Sequence, residues 1–197
     1  MKLRSKLTLI RIILVLAFFI FIMVRKIPFG QSIAIFIFVL SVLLGIISKN
    51  MDQNKGQNTK FNRIMEPLSE TLLIATALIA LVELHIIPAW TAAIIIGAEF
   101  AISGLIGIAV SEKITIKESR WDTSKTVLQT ISVIFALLCM NFRKLIKQGN
   151  FIYIHINTVE RFLKCGTYII FSAALIVTII SCADYFSSNR SLFMNDK

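Results

Sequence analysis

Charged residues, glycine and proline are all scarce in this sequence. Only 16% of the 197 residues are charged, and there are 8 glycines and 3 prolines, whereas hydrophobic residues make up 56%. The apolar residues form long unbroken runs, which differ from the spaced pattern of an amphipathic soluble helix. This combination excludes a disordered chain and an ordinary soluble domain, and it indicates a membrane protein.

Cysteine is also rare. The three copies, Cys139, Cys165 and Cys182, are odd in number and fall in or beside apolar runs. We therefore expect a packing role and no disulfide framework. The sequence also contains no glycine-rich phosphate loop and no Cys/His spacing typical of a metal site.

Six apolar runs approach, with their flanking residues, the roughly 20 residues that a transmembrane helix needs. They cover Leu7–Val24, Ile33–Ile47, Leu72–Ile87, Trp90–Val110, Val127–Met140 and Tyr168–Cys182. The sequence therefore predicts an all-α polytopic membrane protein with six transmembrane helices, forming a single domain over residues 1–197.

The first apolar run has an alternative interpretation as a signal peptide, because the basic residues MKLRSK precede it. However, the run is longer than the hydrophobic region of a signal peptide, and no small-residue cleavage site follows it. We therefore expect a retained first helix.

Basic residues outnumber acidic ones, with 21 Lys and Arg against 11 Asp and Glu, and the formal charge is +10. In a multispanning protein such residues mark cytoplasmic loops and anionic headgroups, so we expect membrane lipids and not nucleic acid as partners. Six spans with both termini in the cytoplasm agree with most of the basic residues. The basic fifth loop departs from this bias, and an interfacial segment at Phe151–Asn157 would account for it.

Two polar segments, Ser48–Arg63 and Ser111–Lys125, fall on the predicted cytoplasmic side. Their composition cannot be buried in lipid, so both must face water. Together with the basic N-terminus, they are expected to frame a cavity that faces the cytoplasm.

Two carboxylates, Glu66 and Glu70, lie four residues apart and hence on one face of a helix, and Pro67 suits the first turn of that helix. Where water reaches, such a pair can hold a divalent cation. The plainer alternative is that both glutamates stabilise a helix N-terminus and solvate its end. Spacing alone favours the plainer alternative.

Glu99 is the main charge inside a predicted span, and we expect it to face the bundle interior and to form an ion pair. Small residues on the same span are expected to allow close helix approach; they are Gly97, Ser103, Gly104 and Gly107. His85 and His155 lie near predicted outer membrane ends and are assigned to no site.

The string TKFNRIMEPLSETLLIATALIALVELHIIPAW resembles the CDP-alcohol phosphatidyltransferase family, and within it the bacterial phosphatidylglycerophosphate synthases. Shorter strings extend the resemblance over nearly the whole chain: KLTLIRI, EFAISGL, KTVLQ and ISCADYF. The resemblance implies six transmembrane helices, a bacterial plasma membrane and a homodimer. It also implies transfer of a phosphatidyl group from CDP-diacylglycerol to glycerol 3-phosphate.

The family signature, D-x-x-D-G-x-x-A-R, eight residues, then G-x-x-x-D-x-x-x-D, places four carboxylates that hold two divalent cations. Aligned on EPLSE, the first two aspartates fall on Gly45 and Ser48, and the adjacent glycine falls on Lys49. Only Glu66 and Glu70 remain acidic. Because a hard divalent cation prefers about six oxygen ligands, the remaining pair is expected to hold a single metal ion only weakly.

Other family positions also differ. The arginines that recognise the acceptor phosphate fall on Ala98 and Ile106. The resemblance keeps Thr8, Arg11 and Lys125, which by analogy would contact the CDP moiety.

Two functional hypotheses follow. The first is a catalytically inactive descendant that acts in binding, assembly or regulation, needs no cofactor and retains CDP-diacylglycerol as a candidate ligand. The alternative is an active phosphatidyltransferase for glycerol 3-phosphate or a related alcohol, which uses Mg²⁺ or Mn²⁺ on Glu66 and Glu70, with Glu70 also available as general base. A transporter has little support.

Overall fold

The computed structural model describes residues 3–24, 29–55, 60–112, 119–148 and 156–190. Within these ranges the chain forms six α-helices and no strands. The helices are α1 (Leu3–Met23), α2 (Gly30–Lys55), α3 (Lys60–Glu83), α4 (Ala89–Ser111), α5 (Asp122–Gln148) and α6 (Ile156–Ser188).

Each helix contains a segment that is long and apolar enough to cross a membrane. A helix satisfies its backbone hydrogen bonds internally, which is what a chain in lipid requires. The large apolar side chains that remain exposed, such as Ile13, Phe36 and Ile169, then have lipid as their solvent. The predicted all-α membrane fold with six spans is confirmed.

The helices extend well beyond the apolar runs that predicted them. The polar segment Ser48–Arg63 is largely helical, since α2 continues to Lys55 and α3 already begins at Lys60. Similarly, α5 begins at Asp122, five residues before the predicted run. Apolar content identifies the part of a helix that lies in lipid, whereas backbone hydrogen bonding continues into polar ends.

Packing places α1 against α2 and α3, α4 against α3 and α6, and α5 against α6. The core is made of side chains that lose essentially all contact with solvent, among them Phe18, Phe38, Leu81 and Leu137. The rings of Phe18 and Phe38 join α1 to α2, with centroids 5.5 Å apart.

The last turn of α3 closes with a pair of hydrogen bonds characteristic of a Schellman cap. The amide of Ile86 donates to the Leu81 carbonyl, and the amide of His85 donates to the Val82 carbonyl, both at 2.9 Å. His85 itself has φ of 57°. This histidine therefore terminates a helix, at the end of the bundle opposite to the predicted cytoplasmic segments.

The expectation about small residues on α4 is wrong for three of the four. A Cβ added at Gly97, Gly104 or Gly107 would meet nothing within 4 Å, so these glycines do not mediate close approach between the described helices of one chain. Gly97 and Gly104 are exposed, and Gly107 is half-buried. Only Ser103 contacts a neighbouring helix, through a 2.9 Å hydrogen bond between its hydroxyl and that of Thr71 on α3.

The cysteines differ in environment, since Cys139 is buried, Cys182 is half-buried and Cys165 is exposed. Most of the predicted interfacial segment, up to and including His155, lies outside the described residues.

Candidate functional site

A cavity of about 580 Å³ opens at the end of the bundle where α2 and α4 finish and where α1, α3 and α5 begin. This volume lies in the range of small-molecule binding sites, about 300–1,000 Å³. Six charged residues line it: Arg11, Lys49, Arg63, Glu66, Glu70 and Asp122. The cavity lies at the end that the sequence assigns to the cytoplasm.

The rest of the wall divides into two parts. Hydroxyl groups come from α5 and α6, at Thr123, Thr126, Thr130 and Tyr185. Apolar side chains from α2, α3, α4 and α5 complete the wall, including Ile46, Ile74, Ile106 and Ile131. Charged, hydroxylic and apolar surfaces therefore meet in one space.

Glu66 and Glu70 both line the cavity from α3, as their spacing predicts. The guanidinium of Arg11 on α1 lies near them and interacts electrostatically with Glu70 and with Glu66. Arg11 is only 6% exposed. A cation from a neighbouring helix thus accompanies the two carboxylates.

Hydrogen bonds fix the Arg11 side chain against α3. Its Nη1 donates to the Ser69 hydroxyl at 3.4 Å, and that hydroxyl donates to the Glu66 carbonyl at 2.8 Å. Ser69 is itself buried. Its hydroxyl therefore couples the guanidinium to the backbone turn that carries Glu66.

Gly45 on α2 makes room for the same guanidinium. A Cβ built at Gly45 would lie 2.8 Å from both Cζ and Nη1 of Arg11 and 3.0 Å from Nη2. The two 2.8 Å separations are shorter than real Cβ contacts, so even alanine would displace the guanidinium. In the motif alignment, Gly45 takes the position of the first aspartate of the family signature.

The described residues do not fit a two-metal centre. Among them, no group of three or more His, Cys, Asp or Glu side chains could hold a metal ion. Gly45 has no ligand atom, Ser48 is a buried neutral hydroxyl, and the Arg11 guanidinium lies against Gly45. Among the described residues, Glu66 and Glu70 beside Arg11 offer fewer carboxylates than the four that the family signature uses for two cations.

Lys125, predicted to contact CDP, lies outside the cavity wall and is 3% exposed. Its ammonium lies 3.2 Å from Glu99 Oε1 and 3.2 Å from Asp122 Oδ1. Thr8 is also buried and also lies outside the wall. Of the three residues assigned to the nucleotide, only Arg11 reaches the cavity, and the role of all three stays a prediction.

Glu99 is buried within α4 and paired, as predicted. Besides Lys125, it accepts a 2.8 Å hydrogen bond from Nε2 of Gln129, which also donates to the Thr178 hydroxyl at 2.9 Å. The network connects α4, α5 and α6. A second link between α5 and α6 lies just before α5, where the Ser119 hydroxyl donates to Asp184 Oδ2 at 2.7 Å.

Sequence reasoning missed the hydroxyl-bearing part of the cavity wall. Thr123, Thr126 and Thr130 recur at intervals of three and four residues, which places them on one helical face. That spacing was readable in the sequence. Tyr185 gave no such signal, because its contribution depends on the packing of α6 beside α4.

Comparison with known proteins gives consistent matches. The sequence profile of the family described as CDP-alcohol phosphatidyltransferase matches residues 1–180. A CDP-diacylglycerol–glycerol-3-phosphate 3-phosphatidyltransferase of Bacillus subtilis (strain 168) is 27% identical, over 70% of this chain and 77% of that protein. A protein of the same description from Rickettsia bellii (strain RML369-C) is 24% identical, over 84% of this chain and 83% of its own length.

Proposed function

The chain belongs to the CDP-alcohol phosphatidyltransferase family, and from that premise we propose that its cavity binds CDP-diacylglycerol. It is a multi-pass membrane protein similar to phosphatidylglycerophosphate synthases. One observation carries the proposal: cationic side chains and an apolar wall share one cavity at the end of the bundle. A liponucleotide needs both, since its diphosphate is anionic and its acyl chains are apolar.

Phosphatidyl transfer to glycerol 3-phosphate or a related alcohol is the first candidate activity, and the descriptions of both relatives support it. In this reaction an acceptor hydroxyl attacks the phosphorus that bears diacylglycerol. A new P–O bond forms, the P–O bond to the cytidylate breaks, and CMP leaves. Glu70, which lines the cavity, is the candidate base for the hydroxyl proton.

Binding without transfer, in assembly or regulation, is the second candidate. The residues at Gly45, Ser48 and Lys49 favour it, because none of them supplies the carboxylate chemistry of the family signature. Nothing in the comparisons indicates inactivity, so this candidate depends on those positions and on the contact between Arg11 and Gly45.

CMP release from CDP-diacylglycerol, with and without glycerol 3-phosphate, separates the two candidates in the purified full-length protein. The matched variants are Glu70→Gln and Glu83→Gln, on the same helix but with Glu83 exposed at the opposite end. If transfer occurs, the loss of a general base at Glu70 lowers the rate about 10²- to 10⁴-fold, while Glu83→Gln retains activity.

The remaining outcomes are equally informative. Binding of CDP-diacylglycerol with no CMP release under any condition would reject transfer and support the second candidate. Absence of both binding and release would reject the proposed function altogether.

We also propose that the cavity faces the cytoplasm of a bacterial plasma membrane, with both termini on that side, because the basic residues favour this orientation. A reporter that is active only in the cytoplasm, fused after Lys197, checks the orientation. An inactive fusion would contradict the proposed orientation and place the C-terminus on the opposite side of the membrane.

A further inference from the structure

The cavity wall carries a buried cation. The Arg11 guanidinium is buried in the cavity wall, and its Nε is fully buried with no hydrogen-bond partner among the described residues. A buried donor without an acceptor is costly, so its presence calls for an explanation such as a catalytic role or a bound water or ion. The side chain is thus held in place while part of its hydrogen-bonding capacity stays unused.

Lys49 and Arg63 add further positive charge. Both line the cavity, and both are exposed, so they lie at its rim while Arg11 lies deeper. Of the carboxylates that line the cavity, Asp122 is already paired with Lys125 at 3.2 Å. Among the described residues, the cavity wall therefore holds three cations, Arg11, Lys49 and Arg63, beside the carboxylates of Glu66, Glu70 and the paired Asp122.

We propose that this cavity binds a phosphate-bearing ligand by direct contact with Arg11, supported by Lys49 and Arg63 at the rim, and that binding requires no divalent cation. The inference rests on the proposed function, because it concerns how the diphosphate of the same ligand is held. The planar guanidinium suits this task, since it can donate two parallel hydrogen bonds to phosphate oxygens.

The position of the Arg11 guanidinium depends on the shape of the site at Gly45 as well as on charge. The guanidinium occupies space that only a residue without a Cβ leaves free. Gly45 replaces the first aspartate of the family signature, so no carboxylate is present at this position. Because glycine has no Cβ, the Arg11 guanidinium can occupy the space beside it. A change at Gly45 should therefore alter phosphate binding without removing any charge.

The test measures equilibrium binding of CDP-diacylglycerol to the purified full-length protein, in excess EDTA and in excess Mg²⁺. We expect equal affinity in both. Gly45→Ala and Arg11→Gln should each weaken binding about tenfold to a hundredfold, the value of a lost hydrogen bond to a charged group. Gly104→Ala is the matched control, because its Cβ would meet nothing within 4 Å.

Folding is checked by size-exclusion chromatography and thermal unfolding of each variant. Gly45→Ala lies inside α2, where alanine favours the helix, so it tests the inference even if Arg11→Gln does not fold. Phosphatidic acid, a lipid phosphate without a nucleotide, identifies the source of the anion. Equal affinity for both lipids would locate recognition in the phosphate, whereas stronger binding of CDP-diacylglycerol would add the nucleotide.

Two results would overturn the inference. Binding that appears only with Mg²⁺ would show that the diphosphate is held through a metal, although the proposed ligand would stand. Unchanged affinity in a folded Gly45→Ala variant would show that Arg11 does not hold the phosphate. Absence of binding in both EDTA and Mg²⁺ would instead reject the proposed function itself.

Discussion

Lys125→Ala removes the cation from the buried network of α4, α5 and α6. The Lys125 ammonium lies 3.2 Å from both Glu99 and Asp122, and its side chain is 4% exposed. In the variant, among the described residues, Gln129 remains as a hydrogen-bond donor to the Glu99 carboxylate. The Glu99 charge therefore stays buried with no cation beside it.

The expected loss of stability depends on whether the variant mainly loses a hydrogen bond or mainly breaks a buried ion pair. An interhelical hydrogen bond in a membrane protein contributes about 0.6 kcal/mol on average, whereas breaking a buried ion pair from one side costs about 3–5 kcal/mol. Because Lys125 carries charge, we expect the second value. For a chain of this length it corresponds to a decrease in apparent Tm of about 6–20 °C.

Thermal unfolding of the purified protein, followed by the loss of its monodisperse size-exclusion peak, measures the effect. Lys6→Ala is the matched control, because Lys6 is exposed and its removal should change stability by less than about 0.5 kcal/mol. A double variant, Lys125→Met with Glu99→Gln, should recover most of the loss, since replacing both partners of a buried pair is often neutral.

Asp122 would not undo this recovery. It remains 24% exposed in the first turn of α5, where the helix N-terminus stabilises a carboxylate. A Lys125→Ala variant with a Tm within about 2 °C of the unmodified protein would refute the reasoning, given the scale of about 2–4 °C per kcal/mol. So would a double variant as unstable as the single one.

Two further predictions concern the fold. Phe18→Ala should destabilise the protein by about 3–5 kcal/mol, because Phe18 is fully buried against Phe38, and Ile13→Ala on the exposed face of α1 should cost far less; equal melting temperatures would contradict the assigned core. The backbone at His85 is left-handed, so His85→Gly should keep the free energy of unfolding within about 1 kcal/mol, whereas His85→Ile should lower it by about 1–2 kcal/mol. Urea or thermal unfolding measures both variants, and equal stability of the two would contradict the assigned cap.

The number and approximate position of the helices could be predicted because lipid imposes a simple rule. A spanning segment must be apolar and long, and this signal is local in the sequence. Helix ends could not be predicted in the same way. Lys55 and Lys60 lie in helices although their surroundings are polar, because helical hydrogen bonding does not require apolar side chains.

The candidate site was only partly predictable. Glu66 and Glu70 lie on one face by spacing alone, and both line the cavity. By contrast, the contact of Arg11 with Gly45 joins two helices whose relative depth and rotation no local pattern specifies. For the same reason Lys125, which resemblance assigned to the nucleotide, is paired with Glu99 across a helix interface.

Pro67 lies inside α3 and in the wall of the cavity. Since proline has no amide hydrogen, it cannot donate the usual helical hydrogen bond to the Arg63 carbonyl four residues earlier. Side chains from residues 64 to 68 are only partly buried, whereas Ser69 and the following turns are packed. The turn bearing Glu66 is consequently held by one backbone hydrogen bond fewer than the packed turns that follow it, so we expect it to deform at lower cost.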